Sequence, residues 1–171
     1  MIPLVLVFHP GLAGSRMGAA WANRAREAGC TVRDLYSLYP NGQIDVAAEQ
    51  AACEEATRLV FQHPFHWYSA PWLMKKWLDE VLTFGWAYGG PDRLSGKEWL
   101  EAVSVGAPAH EYGPDSNRLY HVEDFLKPLQ GTARFCRMEW VPPFIEFGAG
   151  LEEIDLETSC DRYIETIFSR R

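Results

Sequence analysis

Hydrophobic and polar positions divide the chain into short alternating blocks. Ile2 to Phe8 is a nearly unbroken, branched apolar run, the pattern of a strand buried on both faces. His9 to Gly14 supplies a proline and glycines and reads as a loop. Gly18 to Ala28, rich in alanine and arginine, reads as a helix that Gly29 stops. Thr31 to Tyr36 reads as a second strand and Pro40-Asn41-Gly42 as a turn. Asp45 is placed to cap a helix from Val46 to Glu55, and Arg58 to Phe61 forms the third strand. The clearest helix runs from Ala70 to Phe84. Pro71 sits in its first turn, and Leu73, Trp77, Leu78, Val81 and Leu82 share one face. Trp99 to Val105 reads as strand four, and Met138 to Phe147 contains strand five, interrupted by Pro142-Pro143. A closing helix is expected over Glu152 to Ser169, and the irregular stretch Pro108 to Leu129 is the natural lid.

Strands alternating with helices predict an α/β fold, a parallel sheet with helices on both faces. Right-handed crossovers leave few topologies, of which the five-stranded order 2-1-3-4-5 is common. Ligands in such sheets sit beyond the carboxyl ends of the strands. Three loops therefore matter: His9 to Gly18, His63 to Ser69, and Gly106 to Tyr112.

Composition narrows the picture. The 171 residues fit one domain with one core, spanning 1–171, and 47% apolar with 13% aromatic content suits a globular chain. A formal charge of −7 disfavours nonspecific contact with nucleic acid or anionic lipid. No secretory signal or membrane-length apolar run is evident, so a cytoplasmic protein is expected. Cys30, Cys53, Cys136 and Cys160 are scattered, which predicts free thiols and no metal site.

Two loops carry candidate chemistry. His9-Pro10-Gly11-Leu12-Ala13-Gly14-Ser15-Arg16 leads into a helix start, where N–H groups and the dipole favour phosphate. It matches neither a Walker loop nor a dinucleotide fingerprint, and an ordinary capped turn reads the same way. Phe61 to Pro71 is dense in aromatics that would wall a flat ligand or equally plug the edge of the core. His110 and His121, in the lid, read as solvated histidines rather than catalysts.

The run FQHPFHWYSAPWLMKKWLDEVLTFGWAYG, from Phe61 to Gly89, resembles the NAD(P)H:quinone oxidoreductases, and nearest among them the ancillary proteins of glutathione-gated potassium-efflux systems. His9-Pro10, Leu35 to Pro40, Ile44 to Gln50, Leu94 to Lys97 and Trp140 to Phe144 fit the same family. The resemblance implies a flavodoxin-like fold, a homodimer, a noncovalent flavin, and hydride transfer from NAD(P)H to a quinone. It implies that His9, Ser15, Arg16, Met17 and Gly18 surround the flavin phosphate and ribityl chain. Phe65, His66, Trp67 and Tyr68 would border the ring system. Ser104, Val105, Gly106 and Ala107 would face its pyrimidine edge, where backbone N–H groups stabilise negative charge. Tyr112 would lie near the hydride-accepting face as a proton donor to the quinone, or else pack as a lid tyrosine.

FMN is expected rather than FAD, because FAD-using relatives carry extra C-terminal chain where this sequence stops at Arg171. The family commonly has Asn where Gly18 stands and Thr-Thr-Gly-Gly where this chain has Ser104 to Ala107, so a looser grip on FMN is expected. The aromatics around Trp67, Trp72, Trp86 and Tyr88 also predict a dimer with its flavin sites near the interface. The resemblance supports a second role, a flavin-binding subunit docked on a potassium-efflux transporter. An electron-carrying flavodoxin fits less well, because the aromatic loop and lid suit substrate access.

Overall fold

The computed structural model describes residues 1–151 and 154–169. Its sheet joins β1 (Pro3–Val7), β2 (Thr31–Asp34), β3 (Arg58–Pro64), β4 (Glu98–Val105) and β5 (Glu139–Trp140) in the order β2-β1-β3-β4-β5. All pairs are parallel, and β6 (Phe144–Phe147) also pairs with β4. The expected fifth strand is thus two strands. Proline has no N–H to give to a ladder, so Pro142-Pro143 divides the run into two pieces on the same neighbour.

The alternation within β1 builds two cores. Leu4, Leu6 and Phe8 face one side, with α3 (Val46–Glu55), α4 (Trp72–Val81) and α6 (Lys127–Phe135). Val5 and Val7 face the other, with α1 (Arg16–Glu27) and α7 (Leu156–Phe168). Phe61 stacks between the sheet and its helices, its ring 4.0 Å from Trp99 and edge-on to Trp77 at 5.8 Å.

Buried polar groups tie these layers together. Glu49, fully buried, accepts from Arg33 Nε (2.9 Å), Tyr39 Oη (2.7 Å) and Trp77 Nε1 (3.0 Å). The motifs Leu35–Pro40 and Ile44–Gln50 therefore serve the core. Buried Arg58 donates to Glu98 at 2.7 Å and to the carbonyls of Thr166, Ile167 and Ser169, capping the carboxyl end of α7.

Several boundaries differ from those expected. β2 stops at Asp34, because the Asp34 carboxylate accepts from Ser37 N–H and Oγ and opens the short helix α2 (Leu35–Leu38). α1 begins at Arg16, two residues early, since Ser15 caps it. β3 runs on to Pro64, and α4 ends at Val81. The lid stretch holds α5 (Val122–Phe125) and the start of α6, whose short apolar stripe gave no clear period. Asp155 caps α7, while Glu152 and Glu153, read as part of that helix, lie outside the described residues. Trp86 is buried, donating to Glu54 at 2.7 Å, so it adds nothing to the exposed aromatics.

Candidate active site

The first loop turns back on itself before α1. Gly11 N–H donates to His9 Nδ1 at 3.1 Å, which leaves the imidazole proton on Nε2. Ser15 Oγ accepts from Gly18 N–H at 3.0 Å, a capping bond that fixes the start of α1. Gly18 is buried, and its carbonyl accepts from Gln62 Nε2 at 2.9 Å. Gln62 Oε1 in turn accepts from Tyr163 Oη at 2.9 Å. The helix start is therefore bolted to β3 and α7. The Met17 side chain is buried in the core, so only its backbone faces the loop. Arg16 reaches across to the Leu151 carbonyl at 3.2 Å. A hollow of about 580 Å³, lined by polar and apolar groups alike, flanks this loop among His9, Leu12, Asn23, Arg26, Asp34 and Tyr36.

The second loop is a tight hairpin. His66 and Ser69 exchange both backbone hydrogen bonds at 2.9 Å, and Trp67 and Tyr68 sit at φ +48° and +61°. Two consecutive positive values make a turn of the I′ type, which Asn and Gly adopt readily and bulky aromatics do not. Trp67 is 93% exposed. Backbone strain and an exposed indole together set this segment apart from the packed core. Phe65 anchors the loop, with Tyr68, Tyr112 and Phe125 at 6.1, 6.1 and 5.8 Å.

The third loop leaves β4 after Val105. Ser104 is nearly buried and accepts from Phe65 N–H at 2.9 Å through its carbonyl, joining the second loop to the third. The Val105 side chain is 1% exposed and packs with Val103, Val122 and Leu126. Gly106 stands in open space, and among the described residues the amides of Gly106, Ala107, Trp67 and Tyr68 have no hydrogen-bond acceptor. Tyr112 lies over the lid end of the sheet, its ring 5.7 Å from Phe147.

Electrostatics link the loops. His9 and His66 are both held below the usual imidazole range, first by burial. His66 also opposes a charge on His9, Asp34 partly offsets this, and His63 opposes a charge on His66. Burial pushes the Tyr112 phenol up, with Arg118 pulling the other way, so it remains a proton donor at neutral pH. Cys30, Cys53, Cys136 and Cys160 are buried free thiols, all raised by burial and Cys30 to about 11, which makes them poor nucleophiles. No metal-binding cluster occurs among the described residues, and none of their helices is long and apolar enough to cross a membrane.

The structure thus gathers all three loops at one edge of the sheet. Phe65, Trp67, Tyr68 and Tyr112 line a slot of about 150 Å³. Two participants escaped the sequence reading. Arg118 completes that slot, and Phe125 on α5 packs against Tyr68 at 5.0 Å. A lone arginine among lid aromatics was the only available signal. His110 is exposed, and His121 caps α5 against Asp124.

A doubly wound sheet with unpaired amides and aromatic rings beyond its strand ends is the architecture of a flavodoxin-type protein. The chain belongs to the flavodoxin-like fold family, whose model matches residues 1–167. It is 41% identical to the uncharacterized NAD(P)H oxidoreductase YdeQ of Bacillus subtilis, over 98% of this chain and 86% of that protein. It is 41% identical to the glutathione-regulated potassium-efflux system ancillary protein KefG of Pectobacterium carotovorum, over 91% and 86%. General stress protein 14 of Treponema denticola, solved in complex with FMN, superposes with a TM-score of 0.92 at 37% identity, covering 98% of each chain. A structure described as a thermophilic tryptophan halogenase from Streptomycin violaceusniger gives 0.94 at 42%, covering 98% of this chain and 99% of that one.

Proposed function

We propose that this chain binds FMN and catalyses the oxidation of NAD(P)H by a quinone. The observation that carries the reading is the convergence of unpaired amides from two loops beside an aromatic slot, next to a capped helix start. Such a cradle fits a planar, hydrogen-bonding ring with a phosphate tail. The FMN held by the Treponema relative and the name of the Bacillus relative support it.

FMN, when bound, supplies two-electron hydride chemistry, so the protein need offer no nucleophile. The start of α1 with His9, Ser15, Arg16, Met17 and Gly18 would hold the phosphate end. Trp67 and Tyr68, with Phe65 and His66 behind them, would offer amides and a wall to the ring. Ser104 and Val105 bring β4 to the site, and the Gly106 and Ala107 amides would stabilise negative charge on the ring's pyrimidine edge. Tyr112, kept protonated, would donate to the quinone oxygen. The sum is NAD(P)H, a proton and quinone giving NAD(P)+ and hydroquinone. Donor and acceptor would share one slot in turn, so parallel double-reciprocal plots are expected; intersecting plots would show both bound together.

The absorbance spectrum of the purified protein, before and after adding FMN, tests the cofactor. NADPH consumption with a quinone then tests the reaction. No flavin binding, or FAD bound much more tightly than FMN, would overturn the reading. The likeness to KefG favours a second role on the same cofactor: a homodimer at the inner face of a membrane, docked on the cytosolic domain of a potassium-efflux transporter. Copurification with such a domain is the expected result.

A further inference from the structure

Two cavities meet at one guanidinium. The narrow one is the aromatic slot; the wide one, about 730 Å³, is bounded by His110, Glu111, Asp115 and Asn117. Tyr68 and Arg118 stand in the walls of both. A flat ring in the slot would extend its substituents into a polar chamber several times larger.

Arg118 is held firmly at this junction. Its guanidinium carbon lies 4.8 Å from the centre of the Tyr112 ring, and Nη1 is 3.5 Å from the Tyr112 hydroxyl. Nε donates to Glu111 Oε2 at 3.1 Å, and Nη2 pairs with the same carboxylate. Stacking and ion pairing leave the planar fork pre-organised, with one edge on a carboxylate of its own loop and the other toward the slot. Among the described residues Arg118 is also the only fixed cation lining the chamber, where Glu111 and Asp115 carry the opposite charge. A quinone ring would fill the slot alone. A nicotinamide dinucleotide carries a phosphorylated tail that needs the chamber.

We propose that Arg118 recognises a phosphate of the nicotinamide dinucleotide, whose tail lies in this chamber. The proposal rests on the reductase reading above. Glu111 holds the guanidinium in place in the free protein and yields it when the phosphate arrives, so the two anions compete for one fork.

The test uses FMN-loaded wild type, R118Q, R118K and E111Q, with matched melting curves and FMN content. Each is titrated with NAD+ and NADP+, which bind without reacting. Each is then assayed with NADPH and with 1-benzyl-1,4-dihydronicotinamide, a hydride donor without phosphate. Losing a charge-assisted hydrogen bond should weaken dinucleotide binding about tenfold or more in R118Q. R118K should recover part of that loss, and E111Q should bind more tightly than wild type. The ratio of kcat/KM for NADPH to that for the benzyl donor should fall with R118Q by a similar factor. Unchanged dinucleotide binding in R118Q would overturn the proposal. So would an equal loss for both donors, which would make Arg118 only a prop for Tyr112. If binding depends on Arg118 but no hydride is transferred, the reductase reading fails and this inference stands. If NADPH turns over with R118Q indifferent, the reverse holds.

Discussion

Gly18 occupies a position with no room for a side chain. A Cβ there would stand 2.8 Å from Ser15 Oγ and 3.2 Å from His9 Cδ2. Gly18→Asn would therefore push the capping hydroxyl aside, even with a side-chain amide offered to FMN. Lost caps cost about 1 kcal/mol, so denaturant unfolding should show a drop of that order, with FMN affinity falling rather than rising. Val105→Thr would likewise place a hydroxyl in an apolar cluster. The two departures from the family pattern are thus written into the surrounding packing, which only the three-dimensional arrangement reveals. His9 and His66 give a second expectation. Both are lowered in the folded chain, so the unfolded chain binds more protons between those lowered values and about 6.5. Stability should be complete above that window and decline as pH falls through it. Thermal melts between pH 7 and 5 check this, and His9→Asn with His66→Asn should flatten the decline.

Among the elements, the Trp67–Tyr68 turn sets local backbone comfort against function. Glycine takes the φ of +48° without strain, whereas tryptophan does not. Trp67→Gly should leave the apo-protein as stable or up to about 1 kcal/mol more stable, because the indole it removes is almost wholly exposed. The same change should weaken FMN binding measurably by fluorescence titration. Equal affinity would mean the indole touches no ligand. The long periodic elements were legible from sequence: β1, α3 with its Asp45 cap, and the face of α4 all lie close to where the pattern put them. What escaped was set by single capping side chains or by a tertiary neighbour, neither of which the hydrophobic period records. Asp34 ends β2, Ser15 starts α1 early, and α6 depends on the sheet edge it packs against. The three site loops were legible because the sheet rule locates them, whereas Arg118 reaches the slot through the fold of the lid, which carries no period.

Across the whole molecule, exposed aromatics remain after the core is complete. Phe84 and Phe135 are 75% and 66% exposed and flank Tyr88, with ring separations of 5.9 and 5.0 Å. Rings gathered in this way on a solvent-exposed surface are what a contact between copies would bury. A homodimer at micromolar concentration is expected by sedimentation. Phe84→Asp with Phe135→Asp should shift it toward monomer while leaving the melting temperature of the isolated fold nearly unchanged.

The split of the last strand at Pro142-Pro143 has a consequence for how copies can meet. An open sheet ordinarily ends in a row of unpaired amides and carbonyls, an invitation to a strand from another molecule. Here one border is interrupted by two residues that cannot donate, and β2 at the other border is only four residues long. Neither border offers a template for extension. Any association between copies is thereby expected through side-chain surfaces rather than through the sheet borders, which guards against the open-ended stacking that a continuous border would permit.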